Sequence, residues 1–199
     1  MAVVRMRQAQ RTLDPGSKQV LWDEADRLLQ QAYRIEPNAY SLHNQGQILA
    51  LRGDYWEAYK KLSEASALSK NPDFVQANEM LRGALDVQRG DYKLATLRFD
   101  FPIKDPKDLF NKGLAYYLLG DYTKATHAFE ESVIQGREFG FGYYGLAMIA
   151  VQSGQAEIAI IQLKKAISYN SSLLEKVVID PIFEELVRDP IYLNELKVK

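Results

Sequence analysis

The 199-residue sequence contains no cysteine and only two histidines, His43 and His127. Without cysteine, disulfide bonds and thiolate metal sites are excluded. The two histidines are far apart in sequence and share no ligand spacing, so no metal site is expected. Ser41 is two residues from His43, a spacing that separates their side chains on a helix and disfavours a serine nucleophile. We therefore predict a protein without enzymatic activity and without a cofactor.

An excess of charge of one sign is also missing. The chain has 25 basic and 26 acidic residues, a formal net charge of −1, so no bulk field attracts nucleic acid, and no nucleic-acid partner is expected. No run approaches the roughly 18 apolar residues of a membrane span, and the N-terminal MAVVRMRQAQRT is too short in apolar residues for a secretory signal. The prediction is no direct membrane insertion. The sequence does not determine the compartment, which is the cytoplasm, or the periplasm or envelope if a leader has been trimmed.

A short phrase recurs four times along the chain. It reads LALRGDYWEAY at 49–59, LDVQRGDYKLA at 85–95, YLLGDYTKATHAF at 117–129 and VQSGQAEIAIIQL at 151–163. The turn glycines Gly53, Gly90, Gly120 and Gly154 are separated by 37, 30 and 34 residues. A period near this length is typical of stacked helical hairpins, because a single hairpin cannot bury its apolar face.

The residues around each turn glycine support the helical interpretation. Small residues precede the turn at Gly46, Gly83, Gly113 and Ala147, and alanines follow it at Ala58, Ala95, Ala125 and Ala159. Large apolar residues come next at Leu62, Phe99, Phe129 and Leu163. Small residues let two helices approach and large ones fill the space beside them. Glycine followed by aspartate predicts a left-handed helix end and an N-cap for the next helix.

This pattern resembles the tetratricopeptide repeat family, in its bacterial form. The third repeat carries it best, with Gly113, Tyr116, Gly120, Tyr122, Ala125 and Phe129. An upstream half-repeat places Trp22, Ala25, Leu29, Ala32 and Pro37 on second-helix positions. The resemblance spans roughly residues 18–170. It implies an all-α, right-handed superhelical solenoid of antiparallel helix hairpins with short helical caps at both ends.

The resemblance also implies a domain organisation. Residues 1–17 form an N-terminal capping segment, and residues 18–170 form the solenoid. Its parts are the half-repeat 18–38 and the repeats 39–73, 74–105, 106–139 and 140–171. Residues 171–199 are expected to form a helical cap, since Asp180-Pro181 and Asp189-Pro190 predict two short helices after one at about 172–179. The alternative for this tail is partner binding.

Three departures from the repeat pattern lead to separate expectations. Pro102 should shorten the second helix of repeat two, leaving either a geometric irregularity or a gap for a partner. Arg82 and Asp86 are four residues apart and are expected to pair along one helix. Residues 140–145 spell G-x-G-x-x-G, but no strand precedes them, so nucleotide binding is not expected.

Family geometry implies a concave groove lined by the first helix of each repeat. The predicted groove residues are Tyr40, His43, Asn44, Gln47, Met80, Ala84, Lys107, Phe110, Asn111, Tyr117, Phe141, Tyr144 and Met148. Aromatic and methionine side chains suit an irregular apolar partner, and asparagine can hold a peptide backbone. The alternative is that many of these residues pack against adjacent helices or the caps.

The function expected from these features is a non-catalytic protein–protein interaction scaffold. Its groove would bind a peptide or an amphipathic helix, with Phe110, Tyr117, Tyr144 and Met148 as anchors. Asn44 and Asn111 would hold the partner's backbone. A clamp for a C-terminal carboxylate is not expected, because basic residues are missing beside these asparagines. The alternative function is a structural component of a larger bacterial assembly, including an envelope assembly, that contacts partners through its caps and convex face.

Overall fold

The fold is all-α, as the repeat pattern predicts. The computed structural model describes residues 1–197, and within that range it contains thirteen α-helices and no strand. Residues 198 and 199, the last two of the predicted C-terminal cap, lie outside the described residues. Consecutive helices pack against each other as hairpins, for example α3 with α4 and α7 with α8.

The helices follow one another with short connections. Their bounds are α1 Ala2–Arg11, α2 Pro15–Ile35, α3 Ala39–Arg52, α4 Tyr55–Leu68, α5 Pro72–Arg89, α6 Tyr92–Arg98, α7 Pro106–Leu119, α8 Tyr122–Gly136, α9 Phe141–Gln152, α10 Ala156–Tyr169, α11 Leu173–Ile179, α12 Glu184–Arg188 and α13 Pro190–Lys197. Single 3-10 turns occupy Arg137–Phe139 and Pro181–Phe183. The helical caps expected at both ends are confirmed in α1 and in α11–α13.

The chain divides into two compact units, Met1–Leu85 (unit 1) and Asp86–Lys199 (unit 2), with the boundary inside α5. Unit 1 buries apolar side chains in three clusters. Met6, Ala25, Leu29 and Ile48 form one cluster. Ala39, Leu42, Ala65 and Phe74 form the second, and Ala58, Leu62 and Leu85 the third. Each cluster joins neighbouring helices, which is the local stabilisation expected of stacked hairpins.

Unit 2 has one continuous core that extends from α7 into the C-terminal helices. Phe129 of α8 is fully buried in this core. Burying a phenylalanine contributes about 1.5–3 kcal/mol relative to leaving it exposed. Leu173, Val177 and Phe183 from the tail belong to the same core and are buried as well. The tail is therefore packed on the last hairpin through its apolar side chains.

The turn glycines adopt the predicted left-handed conformation, with φ of 86° at Gly53 and at Gly120. The aspartates that follow them differ from the prediction. The Asp121 side chain accepts a hydrogen bond from the Lys124 backbone N–H at 3.1 Å, as an N-cap does. Asp54 and Asp91 make no side-chain cap bond. The glycine-aspartate pair thus determines the turn, while the capping bond is formed in only one of the three.

The second helix of repeat two is short, as Pro102 predicts. Helix α6 has 7 residues, whereas α4 and α10 have 14 each. It ends at Arg98, four residues before the proline. Continuing the helix would set the proline ring against the carbonyl of that residue.

The expected pairing of Arg82 with Asp86 is wrong. Asp86 is fully buried and accepts a hydrogen bond from Arg98 Nε at 2.6 Å. Arg82 instead donates to Glu79 at 2.5 Å and to the Tyr59 hydroxyl at 2.8 Å. The end of α6 at Arg98 provides the partner for the buried carboxylate, so a bond between helices replaces the one along the helix. Burial raises the pKa of Asp86 despite the hydrogen bond from Arg98.

Candidate functional site

The predicted groove residues of unit 1 include an aromatic contact that faces solvent. The Tyr40 side chain on α3 is 62% exposed. Its ring lies 4.7 Å from that of Phe74 on α5, centroid to centroid, in an edge-to-face arrangement. The His43 ring is 5.4 Å from the same phenylalanine. Tyr40 and His43 are one helical turn apart on α3, so both reach Phe74, and Tyr40 leaves most of its surface open.

A chain of polar side chains runs beside this aromatic contact. Gln47 Nε2 donates to His43 Nε2 at 2.9 Å, and His43 Nδ1 donates to Asn78 Oδ1 at 2.5 Å. Both bonds are made when the His43 ring carries a proton on Nδ1 and accepts at Nε2. Asn78 is fully buried, and its Nδ2 has no hydrogen-bond partner among the described residues.

Sequence reasoning did not select Asn78 or Phe74. Both residues come before Met80, the first groove residue predicted on α5. Asn78 is 35 residues away from His43 in sequence. Of the other residues predicted in unit 1, Asn44 and Ala84 are half-buried and Met80 is 5% exposed. The burial of Met80 removes it from the accessible surface. The open part of this site on α3 consists of Tyr40, His43, Asn44 and Gln47, which we call the α3 site.

Seven of the predicted groove residues lie in unit 2, and three of them, Phe110, Phe141 and Tyr144, form an aromatic cluster with Phe129 on α7, α8 and α9. The Phe110 ring lies 5.2 Å from Phe141, 5.6 Å from Phe129 and 6.5 Å from Tyr144, centroid to centroid. Lys107 is exposed. The half-buried members are Asn111, Tyr117 and Phe141, and the buried members are Phe110, Tyr144 and Met148.

The C-terminal tail covers the buried part of this cluster. The Tyr144 hydroxyl donates a hydrogen bond to Asp180. The Phe183 ring stands edge-on to that of Tyr144 at 5.2 Å, with an interplanar angle of 83°. Asp180 Oδ1 also accepts from the Ile182 N–H at 3.1 Å, which caps the turn that carries Phe183. Burial, the hydrogen bond from Tyr144 to Asp180 and the charge of Asp180 raise the pKa of Tyr144 far above its ordinary value.

These contacts correct the expectation that Tyr144 and Met148 are exposed anchors. Each is 2% exposed, and Phe110 is 9% exposed. The alternative stated for the groove, packing against neighbouring helices and the cap, describes these three residues. The Asp-Pro sequence at 180–181 was visible as a helix start, but nothing in the sequence indicated that Tyr144 would be its partner. We call the surface of Tyr144 that Asp180 and Phe183 contact the α9 site.

Two further kinds of functional feature are absent from residues 1–197. No group of three or more histidine, cysteine or acidic side chains in this range is placed to hold a metal ion. In the same range, no helix is both long and apolar enough to cross a membrane.

Comparison with known proteins identifies the repeats. The tetratricopeptide repeat family model matches residues 109–133 and 142–173, which cover most of the two hairpins of unit 2. A TPR repeat-containing protein of Methanocaldococcus jannaschii is 32% identical over 120 residues. Residues 109–133 and 142–173 thus match tetratricopeptide repeats. The alignment covers 57% of this chain and 20% of the relative, so the chain spans about a fifth of the length of the curated protein it matches.

Solved structures of tetratricopeptide repeat proteins share the fold. MamA from Desulfovibrio magneticus RS-1, residues 41 to the end, has a TM-score of 0.64 at 23% identity, covering 86% of this chain and 96% of that chain. PilW, described as a widely conserved type IV pilus biogenesis factor, has a TM-score of 0.68 at 16% identity, covering 98% and 96%. Tetratricopeptide repeat proteins are in general non-catalytic interaction scaffolds.

Proposed function

We propose that this chain is a non-catalytic protein-interaction scaffold that binds a peptide or an amphipathic helix on the first helices of its repeats. The observation that carries the proposal is the α3 site, where the 62% exposed Tyr40 rests on Phe74 beside the hydrogen-bonded Gln47 and His43. An aromatic side chain held by a second ring offers a large contact area at a low cost in conformational entropy.

The chemistry of the α3 site favours a peptide with an apolar anchor. Tyr40, supported by the buried ring of Phe74, provides the aromatic surface. Asn44 and Gln47 carry amides that can both donate to and accept from a peptide backbone. The four accessible residues include no lysine, arginine or acidic side chain. A partner recognised through a terminal carboxylate or a phosphate would need cationic groups that this surface does not offer.

In unit 2 the same proposal assigns a second contact region to Lys107, Asn111, Tyr117 and Phe141. These residues are exposed or half-buried. Asn111 would hold a partner's backbone and Phe141 would provide apolar contact area. The buried residues Phe110, Tyr144 and Met148 support this region from beneath.

The alternative function is a structural component of a larger bacterial assembly, including one of the envelope. It is favoured by apolar side chains that are exposed on the second helices of unit 2. Ile134 on α8 is 79% exposed, and Ile158 and Ile161 on α10 are 45% and 52% exposed. Aliphatic residues clustered on an outer face are typical of contact surfaces between proteins. In this alternative the partner contacts α8 and α10 instead of the first helices.

Peptide display on the whole chain tests the two functions. Peptides selected on the wild type are titrated against Tyr40→Ala and against Val20→Ala, a control that removes an exposed apolar residue of another helix, α2 (64% exposed). Loss of an aromatic anchor should weaken binding about 10- to 30-fold, because such residues contribute about 1.4–2 kcal/mol or more. Val20→Ala should bind as the wild type does.

Equal affinity of the wild type and Tyr40→Ala would contradict the α3 site. Affinity lost instead in an Ile158→Ser, Ile161→Ser double variant would favour the assembly alternative. Circular dichroism of each variant establishes that it is folded before the titration.

A further inference from the structure

We propose that residues 180–183 act as an intramolecular ligand of the α9 site, which a partner reaches only by displacing them. The inference deepens the proposed function and rests on it, since it specifies the chemistry of the second binding region. The partner it implies carries a carboxylate and, three residues later, an aromatic side chain. In this chain those groups are Asp180 and Phe183.

The aromatic half of the contact is a side chain inserted among others. Phe183 is fully buried, and its ring meets the Tyr144 ring edge-on at 5.2 Å. Leu186, three residues further, is 7% exposed and belongs to the same apolar cluster. The 3-10 turn and α12 therefore bury one apolar side chain each in the core cluster, as a bound amphipathic helix buries its anchors.

The polar half of the contact recognises a carboxylate. One oxygen of Asp180 accepts from the Ile182 backbone N–H and fixes the turn, while the other accepts from the Tyr144 hydroxyl. The segment's own backbone thus sets the spacing between the carboxylate and the ring. Tyr144 contacts both groups: its hydroxyl donates to the carboxylate of Asp180, and its ring packs against Phe183.

The helices of the tail are so short that their stability depends on packing against the rest of unit 2. Helix α11 has 7 residues and α12 has 5. Isolated helices shorter than about 12–15 residues are marginal in water. Such short elements gain stability by packing on the helices beneath them, so their docking is an equilibrium that a competing segment can shift.

A second copy of the motif in the same tail shows what α9 selects. Asp189-Pro190-Ile191-Tyr192 repeats the order of residue types, and Asp189 caps its turn by accepting from the Ile191 N–H at 2.8 Å. Tyr192 is nonetheless only half-buried, and its hydroxyl lies 3.5 Å from Glu157 of α10. The local turn is common to both copies, whereas the contact with Tyr144 belongs to residues 180–183.

The test uses a fluorescent peptide with the sequence of residues 177–188, VVIDPIFEELVR, and whole-chain proteins. Its binding is measured by anisotropy to the wild type, to Phe183→Ala, and to the control Tyr192→Ala. A peptide of residues 187–196 with the second motif is the control ligand. Removing the Phe183 ring weakens the internal ligand, so Phe183→Ala should bind the first peptide at least about tenfold more tightly than the wild type. Tyr192→Ala should match the wild type, and the control peptide should not distinguish the proteins.

Equal binding of the first peptide to the wild type and to Phe183→Ala would overturn the proposal, as would the absence of binding to Phe183→Ala. Loss of helical circular dichroism in Phe183→Ala would also overturn it, because the segment would then be a required part of the fold. The assay needs no external partner. A negative result in this assay therefore does not contradict the proposed α3 site. A negative result for the α3 site likewise does not change the result expected here.

Discussion

A Cβ atom added to Gly145 would lie 2.3 Å from the ring of Phe129. Phe129 is fully buried, and the same ring would lie 2.5 Å from a Cβ atom on Gly113. The ring of α8 therefore fills the space left by two missing side chains, one on α7 and one on α9. This contact fixes how closely the two hairpins of unit 2 approach.

Replacing Gly145 with alanine should destabilise the protein. The added methyl group has no room, and overpacking of this kind costs about 1–3 kcal/mol of unfolding free energy. Gly16→Ala in the exposed first turn of α2 is the matched control, because its Cβ would have ordinary contact at 3.5 Å. Urea unfolding followed by circular dichroism compares the two. A Gly145→Ala midpoint equal to that of Gly16→Ala would contradict the close contact.

Replacing Tyr144 with phenylalanine should remove one hydrogen bond and little packing. The expected loss is about 1–2 kcal/mol of unfolding free energy, because the acceptor is a carboxylate. Tyr143→Phe, at a half-buried ring stacked on Tyr169, is the control and should stay near the wild-type value. Thermal unfolding monitored by circular dichroism measures both. Similar losses in the two variants would argue against the Tyr144 bond.

The contribution of Tyr144 to folding stability should decrease at alkaline pH. The pKa of Tyr144 is raised in the folded chain, mainly by burial and then by Asp180. The folded state therefore keeps this proton at a pH where the unfolded chain has released it. The stability that Tyr144 contributes is complete below about pH 10 and decreases as the pH rises above that value. Wild type and Tyr144→Phe should accordingly converge in melting temperature with increasing pH; a constant difference would contradict this.

Replacing Asp121 with alanine should lower stability more than replacing Asp54. Both aspartates follow a turn glycine, but only Asp121 accepts the capping bond from the Lys124 N–H. The hydrogen bonds from Lys124 lower the pKa of Asp121. Its contribution is therefore present above the ordinary aspartate pKa and is lost as the pH falls through the lowered value. Melting curves at neutral and acidic pH should show the two variants differing at neutral pH only.

A double-mutant cycle should couple Asp86 to Arg98 instead of to Arg82. Asp86→Ala removes the partner that accepts from Arg98 Nε and should cost about 1–3 kcal/mol of unfolding free energy. Arg98→Met combined with Asp86→Ala should cost less than the sum of the two. Arg82→Met combined with Asp86→Ala should be close to additive. Denaturant unfolding of the five variants measures both coupling energies. A larger coupling of Asp86 to Arg82 than to Arg98 would contradict the observed pairing.

The repeat period and the turn glycines were enough to predict the hairpins, and Pro102 was enough to predict the early end of α6. These features depend on local physics, namely helix periodicity, left-handed glycine and proline sterics, which a single sequence displays directly. The aspartate caps were harder to predict. Asp54 and Asp121 share the same sequence context, and small differences in the turn decide whether the side chain reaches a backbone N–H.

The candidate sites depended on contacts between distant residues, and there the sequence was less informative. Tyr40, His43 and Gln47 could be placed on one face of α3 from helical spacing. The position of Phe74 and Asn78 beneath them required the packing of α5. Helical register placed Tyr144 on a particular face of α9, and that face was expected to be accessible. Asp180 and Phe183, 36 and more residues away in sequence, cover it. Periodicity identifies a face and does not identify what covers it.

Gly120 at a turn and Gly113 and Gly145 inside the hairpins are constrained differently, and a mirror-image residue would separate them. A Cβ atom at Gly120 would meet nothing within 4 Å, and only its φ of 86° opposes an L-amino acid. D-alanine prefers that half of conformational space, so chemical synthesis could place it there with the turn retained and the unfolded chain stiffened. Gly113 and Gly145 lie in helices and lack room for a methyl group beside Phe129. At the turn the constraint is handedness, and inside the hairpins it is volume.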